Sequence, residues 1–250
     1  MNDQYIRKIY LDKDVDEGRS YVFRLPVVRN LAKKGEIEFN KKVTFFIGEN
    51  GSGKSTLLEA IAVAYGFNPE GGSKNFNFST YTSHSPLHGK LHLTRGVRRP
   101  SDGYFLRAES FYNVASYIED LDRELAGAPM IKDSYGGKSL HEQSHGESFL
   151  SLVLNRFGGK GLYILDEPEA ALSPSKQLTL LAQIDYLAGE NSQFIIATHS
   201  PMLIAYPHAD TYVLTDDDIE LTPYQQTEHF ILTKQFLNNP ERMLKHLLED

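Results

Sequence analysis

The chain has 250 residues, 40% hydrophobic and 24% charged, with a formal net charge of −7 and no cysteine. Such a length suits one large α/β domain with a substantial core, and the composition is ordinary for a globular protein. The missing cysteines exclude a disulfide framework and a thiolate metal site, the acidic balance argues against a broadly basic nucleic-acid surface, and no stretch approaches the ~18 apolar residues of a membrane span. The opening residues Met1-Asn2-Asp3-Gln4-Tyr5 lack the apolar core of a signal peptide, so a cytoplasmic location without direct membrane insertion is expected.

In chain order, Tyr5–Leu11, Tyr21–Leu25 and Glu36–Phe39 read as short strands, an antiparallel edge ahead of the apolar run Val43–Ile47. Gly48-Glu49-Asn50-Gly51-Ser52-Gly53-Lys54-Ser55-Thr56 follows, and then a helix-forming run from Thr56 to Ala64. Residues 68–103 are polar; within them Lys90–Thr94 alternates like a strand and Pro100-Ser101-Asp102-Gly103 signals a turn. Tyr104–Arg107 reads as a strand. Val114, Ile118, Leu121 and Leu125 recur at helical spacing, and Asp133–His141 reads as a mobile loop. Gln143-Ser144-His145-Gly146-Glu147 precedes the apolar stretch Phe149–Leu154. Gly161–Asp166 is an apolar strand continued by Glu167-Pro168, and Gln193–Thr198 is another, ending in His199-Ser200-Pro201. Between these two, Leu178–Leu187 is helical until Gly189. Asp216-Asp217-Asp218 is a turn between short strands, and Pro240 opens a last helix carrying Met243, Leu244, Leu247 and Leu248.

Residues 48–56 satisfy the P-loop pattern G-x-x-x-x-G-K-[ST] in the strand–loop–helix context that the motif demands. Glycines let the backbone turn tightly and aim N–H groups at phosphate oxygens, and the helix N-terminus adds a favourable dipole. Lys54 can reach the β- and γ-phosphates, and the Ser55 hydroxyl can ligate Mg²⁺. Ligands of open α/β sheets bind at the carboxyl ends of strands, so Asp166 is expected beside the phosphates as a second Mg²⁺ ligand. Glu167 is placed to polarise an attacking water, and His199 to meet the γ-phosphate. Ser144 and Gly146, just before a helix, make a second anion site. Because the P-loop already holds the phosphates, that second site implies a second copy of the chain.

Other patterns weigh less. His141-Glu142-Gln143-Ser144-His145 fits H-E-x-x-H, but Gly136-Gly137 and Gly146 leave little more than two helical turns for a zinc motif. Pro86 and Gly89 interrupt any helix through His84, His88 and His92. The basic clusters Lys33-Lys34, Lys41-Lys42 and Arg95 with Arg98-Arg99 read as solvated edges.

The ordered motifs resemble those of ABC-type ATPases. Gly48–Thr56 matches Walker A, Ser144-His145-Gly146-Glu147 a variant signature, Leu162–Glu167 Walker B, Ala170-Ala171-Leu172-Ser173 the D-loop and His199 the switch histidine. His145 stands for the first signature glycine, Gln143 where Leu is usual, and Ser173 for the D-loop Asp. Glu169 stands where transporter ATPases carry Thr. The Glu-Pro-Glu run is similar to the SMC and overcoming-lysogenization-defect classes, although no sustained heptads between Lys54 and Ser144 supply coiled-coil arms. Glu109 is the candidate Q-loop residue; Tyr21 and Phe23 are the candidate adenine-stacking aromatics. The resemblance implies a P-loop NTPase with a mostly parallel central sheet, an N-terminal antiparallel β edge and a helical signature subdomain. It spans residues 1–250 as one domain, with about 68–157 as an inserted middle lobe. It implies ATP and Mg²⁺ as ligands, ATP hydrolysis, and a homodimer that sandwiches ATP and drives a protein or nucleic-acid client. The alternative is the ATPase subunit of a transporter with separate membrane subunits.

Overall fold

Continuous apolar runs form the middle of the sheet, as strands covered on both faces must. The computed structural model describes residues 3–12, 20–73, 85–107 and 144–248. Its elements are β1 (Ile6–Leu11), α1 (Pro26–Lys34), β2 (Glu36–Glu38), β3 (Val43–Gly48), α2 (Lys54–Tyr65), β4 (Gly72–Ser73), β5 (Leu91–Arg95) and β6 (Asp102–Arg107). There follow α3 (His145–Arg156), β7 (Gly161–Asp166), α4 (Pro174–Gly189), β8 (Gln193–Ala197), β9 (Ala209–Leu214), β10 (Ile219–Leu221), α5 (Glu228–Asn238) and α6 (Pro240–Leu248).

Among the described residues the main sheet has the order β10-β9-β3-β8-β7-β6-β4. The five strands from β9 to β6 run parallel, and only the edge strands β10 and β4 pair antiparallel. A separate antiparallel sheet, β2-β1-β5, forms the expected N-terminal edge. From the segment 68–157, β5 therefore joins the small sheet and β4 and β6 join the main one.

One expectation fails. Tyr21–Arg24 is a 3-10 turn, not a strand, and it runs into α1. Ser20 caps that turn by accepting from the Val22 N–H, and Pro26 occupies the first turn of α1, where its missing N–H costs nothing. Val27, Val28 and Leu31 then fall on one buried face. The helix Val114–Leu125 and the loop Asp133–His141 lie outside the described residues.

Side chains alternate along β3. Phe46 enters the core around α2 with Leu57, Leu58, Ile61 and Ile195, whereas Phe45 and Ile47 enter the core around α3 and α4 with Phe149, Leu180 and Ile196. Each such side chain contributes about 1.5–3 kcal/mol by leaving water.

A polar cluster closes the far end of β6 and β7. The Tyr163 hydroxyl lies 2.8 Å from Asp102 Oδ2, and Arg156 Nη1 lies 2.9 and 3.0 Å from the two Asp102 oxygens. Burial alone would raise the Asp102 pKa, but the Arg156 guanidinium, the Tyr163 hydroxyl and the Gly103 N–H outweigh it and hold the carboxyl below its usual value. A depressed folded-state pKa stabilises above the unfolded value of about 3.9 and stops doing so as pH falls through the lower folded value. Asp102→Asn is accordingly expected to cost about 1.5–3 kcal/mol near neutral pH. The gap to the parent should narrow in urea melts below about pH 4.

Candidate active site

The parallel strands deliver their carboxyl ends to one edge of the sheet. Asp166 pairs in register with Arg107 on β6 and Ala197 on β8, and Gly48 with Leu214 on β9. The chain can turn at Gly48 because no side chain is there: an added Cβ would lie 2.3 Å from the Leu214 carbonyl oxygen. Gly53, at φ 95°, is left-handed and backs onto α1, where its Cβ would lie 2.5 Å from Val27 Cγ1. The Val27 N–H donates to the Ser52 carbonyl at 3.1 Å, so α1, absent from the sequence-based expectation, buttresses the loop.

Lys54 starts α2 and is 4% exposed. Its Nζ donates to the carbonyls of Gly48 (2.8 Å) and Glu49 (3.0 Å). Burial pulls its pKa below the ordinary lysine value, against the opposing pull of Glu167, Asp166 and Glu49. The Ser55 hydroxyl donates to Asp166 Oδ1 at 3.0 Å, and Asp166 is buried. Asn50 and Gly51 form the exposed tip of the loop, Thr56 is half-buried, and Ser52 Oγ is buried without a hydrogen bond.

Adjacent hydroxyl and carboxylate oxygens suit Mg²⁺, which is held by one or two carboxylates while phosphates and waters fill its octahedron. No group of three or more His, Cys, Asp or Glu side chains placed to hold a metal occurs among the described residues.

Arg107 has a place here that the sequence did not announce. Its Nε lies 3.6 Å from Asp166 Oδ2 and its Nη1 2.8 Å from Glu59 Oε2. Glu59 also accepts from the Ser85 N–H at 2.8 Å. The chain Glu59–Arg107–Asp166 thus ties α2 to β6 and β7. Helical spacing puts Glu59 on the same face as Ser55, the one hint available beforehand.

Glu167 adopts the left-handed conformation, φ 50° and ψ 52°, uncommon for a side chain of this kind. Its N–H donates to the Ala197 carbonyl at 3.0 Å, and its Oε1 lies 3.5 Å from His199 Nε2. The His199 N–H donates to Glu169 Oε1 at 2.5 Å. Glu169, singled out as a departure from transporter ATPases, therefore seats the histidine. His199 stacks obliquely near His229, centroids 5.7 Å apart.

Ser144 and Gly146 stand elsewhere. Ser144 is exposed at the start of α3, where its N–H and hydroxyl donate to Glu147 Oε2 at 3.1 and 2.7 Å. Gly146 packs against the turn Pro168–Ala171; a Cβ would lie 2.4 Å from the Ala171 carbonyl oxygen. No hydrogen bond among the described residues joins either to residues 48–56. Glu109, Gln143 and the His145 side chain lie outside the described residues. Of the two aromatics considered for adenine stacking, Phe23 belongs to the core and Tyr21 is 72% exposed.

A parallel sheet with this loop on β3, its lysine at the head of α2 and a carboxylate at the end of β7 defines a P-loop nucleotide-binding domain. Comparison with known proteins narrows the class. A model described as "AAA domain" matches residues 20–131, and one described as "AAA domain, putative AbiEii toxin, Type IV TA system" matches residues 139–205. The two matches fall on the segments that carry the loop and the residues at the ends of β7 and β8, and the ordered motifs resemble those of ABC-type ATPases. No curated protein matches it. Similar solved structures include the SMC head domain from Thermotoga maritima, at 14% identity over 88% of this chain and 99% of that one, TM-score 0.45. They also include cbiO1 from Clostridium perfringens, part of the ABC transporter complex cbiONQ, at 16% identity over 99% and 100% of the two chains, TM-score 0.49. A bacterial ABC transporter cassette solved as a dimer matches at 14% identity over 74% and 86%, TM-score 0.42.

Proposed function

We propose that the chain is a cytoplasmic ATP-hydrolysing switch whose two copies, head to tail, sandwich two ATP molecules and drive a partner protein or a nucleic-acid process. The observation that carries this reading is the convergence of Lys54, Ser55, Asp166, Glu167 and His199 from three separate segments, with Ser55 Oγ and Asp166 Oδ1 only 3.0 Å apart. The loop amides and Lys54 hold the β- and γ-phosphates; the carbonyls of Gly48 and Glu49 keep the Lys54 charge in place until phosphate oxygens replace them. Ser55 and Asp166 would hold Mg²⁺, which would supply charge neutralisation at the phosphates. Glu167 accepts a proton from water as the water oxygen bonds to the γ-phosphorus; the bond to the bridging oxygen breaks and ADP leaves with its electron pair. Lys54 and His199 stabilise the charge spread over the γ-phosphate oxygens. No helix among the described residues is long and apolar enough to cross a membrane.

The exposed Ser144, unattached to its own loop, supports a cap given to the other copy. Mixing two inactive variants tests this. Lys54→Met destroys a chain's loop and Ser144→Arg destroys its cap, so only the mixed dimer has one complete site. Turnover of an equimolar mixture should recover to about a quarter of the parent value, because half of the dimers are mixed and each has one of two sites. A mixture as inactive as its components would reject the shared site.

A further inference from the structure

Helix α5 brings a second histidine to the phosphate end of the loop. Its first turn is anchored. Thr227 is buried and its hydroxyl donates to the Tyr224 carbonyl at 2.7 Å, and the Phe230 and Tyr224 rings meet edge to face, 5.0 Å apart. Farther along, Ile231, Leu232, Phe236 and Leu237 are exposed, so the helix is fixed by the end that faces the site. There the half-buried His229 ring lies 5.7 Å from His199. His229 also lines a cavity of about 320 Å³ together with Glu228 and the loop residues Gly48, Glu49, Asn50 and Gly51.

We propose that His229 is a further substrate-binding residue, donating a ring N–H to the terminal phosphate of the nucleoside triphosphate beside His199. The inference rests on the ATPase reading above. The location distinguishes the terminal phosphate from the base: His229 faces the loop's tip and the switch histidine. The charged groups facing it are Glu49 and Lys54 from the loop, His199 after β8 and Glu228 on its own helix. Burial, and then His199, hold the His229 pKa below the ordinary histidine value, which favours the neutral ring with its one donor and one acceptor. A group that holds only the last phosphate sharpens the separation of triphosphate from diphosphate.

The test is equilibrium titration of the full chain with a non-hydrolysable ATP analogue and with ADP, each with Mg²⁺. His229→Ala is expected to weaken the triphosphate analogue about tenfold, the worth of one hydrogen bond to a charged group, and to leave ADP binding unchanged. His229→Phe keeps the ring's packing without its N–H and should behave likewise, so either variant carries the test if the other fails to fold. His229→Gln, which retains a donor, should recover most of the loss. Equal effects on both nucleotides, or none on either, would overturn the role of His229 while leaving the ATPase reading intact. A parent chain that binds neither nucleotide would overturn both.

Discussion

Glu167→Gln is expected to lower ATP turnover by about 10²–10⁴-fold, the range set by loss of a positioned general base. The substitution is close to isosteric, so the left-handed backbone and the Glu167 N–H bond to Ala197 should survive. It also removes a negative charge that acts on Lys54 and stands 3.5 Å from His199. Triphosphate binding should therefore hold or tighten while hydrolysis stops. ATP-bound dimers should accumulate, visible by light scattering as a doubling of mass that needs both ATP and Mg²⁺. Normal turnover in this variant would remove Glu167 from the role of base, and slow turnover without a dimer would separate hydrolysis from pairing.

Lys54→Met should be the second large effect, with kcat/KM falling by about 10²–10³-fold through loss of charge at the γ-phosphate. The fold should scarcely respond. A buried cation whose pKa is pulled down by its surroundings adds little to stability, and an apolar residue of similar length recovers the packing. Against this, the carbonyls of Gly48 and Glu49 lose a donor. The balance predicts a change within about 1–2 kcal/mol in urea melts. Large destabilisation with intact turnover would reverse the assignment and make Lys54 a structural residue.

The interior of the sheet is legible because β3, β7 and β8 are almost wholly apolar, and the loop, Asp166 and His199 stand at or just beyond their ends. The segment before them departs from its strand-like sequence for a physical reason. Tyr21–Leu25 is rich in strand-favouring residues, yet Pro26 and Gly35 bracket a helix, and that punctuation was the better signal. Arg107, Glu59 and His229 could not be found by motif. Arg107 and Asp166 lie far apart in the chain and meet only through strand register, and His229 comes within 5.7 Å of His199 only in the folded chain. Glu169 stands out in the sequence as a departure from transporter ATPases, but its bond to the His199 N–H belongs to tertiary structure.

The two crosslinks beyond the last rungs of β7 and β8, Glu167 N–H to Ala197 and His199 N–H to Glu169, have a mechanical meaning. They tie the backbone that carries the carboxylate to the backbone that carries the imidazole. In the proposed cycle the two would advance or retreat as one, so a stroke would have to be driven from outside this pair of strand ends.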